Sequence, residues 1–130
     1  MVSALGEGCW LNGARVQVST TATLSDATVL TTDARFARMP QRFVAWRKLA
    51  AQAGVARSWG DCYGYLLVAS GRAEVMVDAI ANEWDIAAVQ RCIVEAGGAF
   101  TDWEGKATAF GGSGIATNAS LASEVRALLR

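Results

Sequence analysis

Three aspartates, Asp61, Asp78 and Asp85, stand where the chain changes from one element to the next. Carboxylates gathered at element ends can converge on a divalent cation or on a cationic ligand. The stretch from Arg57 to Gly98 supplies the spacing: a helix led in by Gly60, a strand ending at Asp78, a short loop, then Trp84-Asp85 opening a second helix. Hard oxygen donors suit magnesium rather than zinc, and magnesium takes only one or two protein carboxylates alongside water and phosphate oxygens. The sequence contains no histidine. That excludes a Ser-His-Asp or Cys-His site within it and removes the commonest general base. The placed acids are too few to complete a metal-dependent active site alone, so no catalytic residue is assigned here.

Each aspartate also has a plainer role open to it. Asp85 at a helix start suits an N-cap, accepting hydrogen bonds from free N–H groups at the positive helix end. Asp78 ends a strand of continuous apolar character and could pair with Arg57 or Arg72. Asp61 follows Gly60 at a strand-to-helix turn and is either a cap or a group facing an amine or hydroxyls, since a carboxylate there repels phosphate. Trp59, Trp84 and Trp103 are expected in the core rather than in a ligand cage. Gly111-Gly112-Ser113-Gly114 lacks the lysine and spacing of a phosphate loop.

Behind these residues stands an alternation of strands and helices. Asn12-Gly13 marks a hairpin within residues 6–18, because both residues tolerate positive φ. Thr28–Thr32 reads as a strand. Pro40 opens a helix to about Ala53, with Gly54 expected as its left-handed cap. Ala56–Trp59 is a strand, Asp61–Ser70 a helix closed by Gly71, and Ala73–Val77 a strand buried on both faces. Asp85–Ala96 is a helix with Ile86, Val89, Ile93 and Ala96 on its inner stripe. Strands at Ala99–Asp102 and Gly114–Thr117 follow, and Asn118 is expected to cap a last helix running to Arg130. The order predicts a layered α/β fold, a mixed sheet flanked by helices.

Composition narrows the function classes. The 130 residues make one domain or part of one, and 52% hydrophobic content is ample for a core. Twelve basic residues balance twelve acidic ones, with no basic run, so nucleic acid is not indicated. No long apolar span or leader pattern is present, which predicts a soluble cytoplasmic protein without a membrane role. Cys9, Cys62 and Cys92 match no zinc or disulfide pattern and are expected as reduced thiols packed like small apolar residues.

Taken together, these segments resemble the C-terminal half of the inositol monophosphatase family. Gly6-Glu7-Gly8-Cys9 with Asn12-Gly13 resembles its hairpin, Arg57-Ser58-Trp59-Gly60-Asp61-Cys62 its strand-to-helix turn, and Gly71-Arg72-Ala73-Glu74 a further segment. Trp84-Asp85, Glu95-Ala96-Gly97-Gly98 and Asp102 resemble its most specific signature. Gly60-Asp61-Cys62-Tyr63-Gly64-Tyr65 looks like the branch that dephosphorylates histidinol phosphate.

The resemblance implies magnesium-dependent hydrolysis of a small phosphorylated alcohol, histidinol phosphate or an inositol or sugar phosphate. It implies Asp85 as a metal ligand and Arg57, Gly60, Asp61 and Asp78 on the substrate side, with Asp61 meeting a substrate ammonium. The family's other metal-binding acids have no counterpart in residues 1–130. The chain is therefore expected to be the C-terminal domain of such a phosphatase, lacking the N-terminal metal-binding half and inactive alone. A homo-oligomer or a complementing N-terminal half is the expected partner. The rival expectation is a non-enzymatic module that dimerises or docks on a phosphatase.

Overall fold

A computed structural model describes residues 1–36 and 39–130. The chain opens with three short strands, β1 (Val2–Ala4), β2 (Gly8–Leu11) and β3 (Ala14–Val16), in an antiparallel sheet of that order. Asn12 (φ 51°) and Gly13 (φ 82°) make the two-residue turn between β2 and β3, the left-handed pair that matches the twist of a hairpin. The sequence reading missed β1, because three residues carry too little periodicity to show.

The main sheet has five strands in the order β5-β4-β6-β8-β7. These are β4 (Thr28–Thr31), β5 (Val55–Ser58), β6 (Val75–Asp78), β7 (Ala99–Thr101) and β8 (Gly114–Thr117). β5, β4 and β6 run parallel, while β8 runs antiparallel to β6 and to β7, giving the mixed α/β sheet expected. Four helices complete the fold: α1 (Pro40–Gln52), α2 (Cys62–Ala69), α3 (Glu83–Glu95) and α4 (Ala122–Leu128).

Strand alternation divides the core in two. Val29, Val75, Val77 and Ile115 face Trp46 and Leu49 of α1 and Val125 of α4. Leu30, Met76 and Ala116 face the other way, onto Tyr65 and Val68 of α2 and Ile86 and Ile93 of α3. The small sheet packs on the far side of α3, where Cys9 enters the second core. Glu95, near the end of α3, accepts hydrogen bonds from Gly6 N (3.0 Å) and Gly8 N (3.1 Å). Those two N–H groups hold its carboxyl below the usual range.

Several local expectations are corrected. Gly54 has no left-handed backbone; a Cβ there would land on the Ser25 carbonyl oxygen, so the glycine serves a close approach of two backbones. Asn118 is not the N-cap of the last helix, which begins four residues later after Leu121. It is wholly buried, donates from Nδ2 to Ser19 Oγ and the Thr21 carbonyl, and accepts from Leu121 N. It therefore pins the 19–21 crossing to the end of β8. Trp103 is buried as expected, but Trp59 is 51% exposed and Trp84 76% exposed. Helix-start and strand-end positions looked buried in sequence, yet both indoles stand on the open side of their elements. The thiols are free, and Cys62 is exposed rather than packed in the core.

Candidate functional site

The parallel strands β4 and β6 end side by side, and open α/β sheets collect ligands beyond such carboxyl ends. Asp78 closes β6, Asp61 precedes α2, and Asp85 lies in the first turn of α3. All three line one cavity of about 140 Å³, with Thr32, Cys62 and Tyr65 and an apolar wall of Ile80, Ala81 and Ile86. Among the described residues no lysine or arginine lines it. The described lining thus presents three carboxylates and no cationic side chain, the electrostatics of a cation-accepting site.

Asp78 is 7% exposed. Its oxygens are held by Thr32 N (3.0 Å to Oδ1) and by the Tyr65 hydroxyl (3.0 Å to Oδ2). No ion pair joins it to Arg57 or Arg72 among the described residues. Burial pushes its carboxyl above the ordinary carboxylate range, against the opposing pull of the Thr32 and Tyr65 hydrogen bonds. Burial, with the Asp78 charge beside it, likewise raises Tyr65 well above the usual phenol range, so Tyr65 remains a donor.

A raised folded value means that the native state holds the Asp78 proton more tightly than the unfolded chain. Its contribution is therefore most favourable below the ordinary carboxylate range and is lost as pH rises through the raised value. Asp78→Asn is expected to flatten that part of the stability–pH profile. Urea midpoints of parent and variant across the acid-to-neutral range should converge at low pH. At neutral pH the variant should match or exceed the parent; parallel profiles would contradict this.

Asp61 occupies the position before α2 but makes no side-chain cap bond. Its N–H donates to Thr32 Oγ1 (3.1 Å), and its carboxylate accepts no hydrogen bond among the described residues. Its backbone is left-handed at φ 58°, ψ −153°, a region that glycine favours and that costs an ordinary residue about 1–3 kcal/mol.

Asp85 is not the helix cap either. Asn82 takes that position with extended backbone, and its Nδ2 donates to Asp85 Oδ2 at 3.3 Å, leaving the exposed carboxylate otherwise open. Cys62 donates its thiol to the Asp85 backbone carbonyl (3.1 Å), tying the start of α2 to the first turn of α3. Burial of the sulfur and the Asp85 charge raise that thiol, which makes it a brace rather than a nucleophile.

Arg57 and Gly60 are not among the lining residues, although Gly60 directly precedes Asp61. Arg57 sits on the edge strand β5, donates to the Ala56 carbonyl (2.8 Å) and does not line the cavity; neither does Gly60. The sequence reading missed Thr32 and Tyr65. Tyr65 was within reach of it, lying one helical turn after Asp61 on a predicted helix. Thr32, just past a strand end, carried no signal.

Among the described residues no group of three or more His, Cys, Asp or Glu side chains is placed to hold a metal ion. Asp61 and Asp85 are the two carboxylates of the cavity left largely open, too few by themselves to enclose a hard cation. No helix among the described residues is long and apolar enough to cross a membrane.

A family model described as the inositol monophosphatase family matches residues 1–130. The chain belongs to the inositol monophosphatase family. Within it, the histidinol-phosphatase of Chlorobaculum parvum is 44% identical over 110 residues, 85% of this chain and 42% of that protein. The extragenic suppressor protein suhB from Bartonella henselae superposes with a TM-score of 0.88 at 27% identity, covering 96% of this chain and 49% of its own. The IMPase of Thermotoga maritima gives a TM-score of 0.82 at 29% identity, covering 95% and 48%. The chain thus spans about half the length of the inositol monophosphatase relatives it matches.

Proposed function

We propose that this chain forms the alcohol-recognising part of a phosphomonoesterase acting on histidinol phosphate, with magnesium as its metal. The supporting observation is the cavity itself: among the described residues it gathers three carboxylates and no cationic side chain, and one of the three, Asp61, has a left-handed backbone and no side-chain partner. A substrate ammonium meets Asp61 by a charge-assisted hydrogen bond. Asp78, oriented by Thr32 and Tyr65, accepts a hydrogen bond from the substrate's polar N–H or O–H group. Asp85, with its exposed carboxylate, would hold the metal ion. When bound, magnesium activates the water, holds the phosphate and stabilises the leaving oxygen. The ester P–O bond breaks as the water oxygen joins phosphorus, and the alcohol leaves with a proton.

On this reading the other metal donors come from outside residues 1–130, from a further segment or a complementing chain of a cytoplasmic enzyme. Likeness to the Chlorobaculum parvum histidinol-phosphatase supports the substrate. The test is Asp61→Asn in the whole protein. Loss of a hydrogen bond to a charged group, about 1.5–3 kcal/mol, should raise KM for histidinol phosphate roughly 10- to 100-fold. Inositol phosphate should be turned over poorly by parent and variant alike. Equal handling of both substrates by the parent, or an unchanged KM in the variant, would count against the amine-bearing substrate.

A further inference from the structure

A second cavity, of about 330 Å³, lies between α4 and the outer strands β7 and β8. It is remote from the aspartates. Thr117 pairs with Val75 at one end of the β6–β8 ladder, whereas Asp78 pairs with Gly114 at the other. It also opens on the α1–α4 face of the sheet, since Ile115 and Thr117 alternate with Ala116 on the opposite face.

Two features set this groove apart. Thr117 is 2% exposed, and among the described residues its hydroxyl, like the buried hydroxyl of Thr101 on the neighbouring strand, has no hydrogen-bond partner. Buried hydroxyls without partners are rare and point to a missing water or ligand. The groove wall carries Arg126 of α4 and Arg130 just beyond the end of that helix, and among the described residues no carboxylate side chain lines the space. Arg126 is fixed there because Nη1 donates to the Asp102 carbonyl (3.4 Å) and the Trp103 carbonyl (2.9 Å). Its Nε and Nη2 pack over Gly105 and donate to no further partner among the described residues, and a guanidinium fork suits the oxygens of a phosphate or carboxylate.

We propose that this groove binds a small oxyanion, a phosphate or carboxylate group received by the Thr101 and Thr117 hydroxyls and the guanidinium groups of Arg126 and Arg130. The inference does not depend on the phosphatase reading, and its test separates the two. Protein stripped of divalent ions on a chelating resin is titrated with inorganic phosphate and, separately, with acetate. Ionic strength is held constant with chloride, and backbone amide NMR shifts are followed. The expected result is saturable change confined to residues 99–101, 115–117 and 122–130, and the tighter of the two probes identifies the preferred oxyanion. Thr117→Val, which keeps the shape and removes the hydroxyl, and Arg126→Gln should each weaken binding roughly tenfold. Thr117→Ser should retain it. If Thr117→Val does not fold, Thr101→Val takes its place. Absence of saturation, equal shifts with chloride alone, or undiminished affinity in the valine variant would overturn the proposal; the last would mean that water satisfies the hydroxyls.

Discussion

Asp85→Asn in the whole protein is expected to lower kcat/KM for histidinol phosphate by about a hundredfold or more, because a metal's share of transition-state stabilisation amounts to several kcal/mol. Asparagine keeps the shape but loses the charge that, in the proposed site, would hold a hard cation. The fold should barely register the change. Asp85 makes no cap bond, and among the described residues its only side-chain hydrogen bond is the 3.3 Å contact from Asn82. The lost interaction with the positive end of α3 amounts to about 0.3–1 kcal/mol. The readout is therefore a split: a collapse of turnover that excess magnesium partly restores, beside a nearly unchanged melting temperature. Full turnover at limiting magnesium would remove Asp85 from the metal site. A large fall in melting temperature would make it a structural residue instead.

Ile93→Ala is expected to destabilise the chain by about 2–5 kcal/mol, the range for emptying a well-packed aliphatic site. Ile93 has no exposed surface and sits in the core shared by α2, α3, Met76, Phe100 and Ala116. Val94, the next residue, is 46% exposed, so Val94→Ala should stay within about 0.5 kcal/mol. Urea unfolding of the two variants decides it, with the slope constant and the midpoint moving only for Ile93. A similar midpoint for both would mean that α3 does not bury this face.

The alternation of elements was legible because each carries its own punctuation. Pro40 starts α1, Asn12-Gly13 turns the hairpin, and the apolar run Val75–Val77 marks a strand covered on both faces. The convergence of Asp61, Asp78 and Asp85 was legible too, since strand ends and helix starts of a parallel sheet share one edge. What escaped were properties that depend on neighbours far along the chain. Asn118 reads locally as a cap, but its partners are Ser19 and Thr21, nearly a hundred residues away. Asp85 reads as a cap until Asn82 takes that place. Gly54 reads as a helix stop, although the reason for glycine lies at Ser25. Tyr65 looks like one more apolar residue of α2 until its hydroxyl is seen on Asp78.

The bond from Glu95 to the amides of Gly6 and Gly8 ties the dynamics of two distant segments. A turn between short strands would ordinarily exchange its amide hydrogens with solvent as fast as the turn breathes. Here both glycine protons are guarded by an acid on another element, so their exchange should follow opening of that contact. Acidification, by neutralising the acid, should free them well before the rest of the chain loosens.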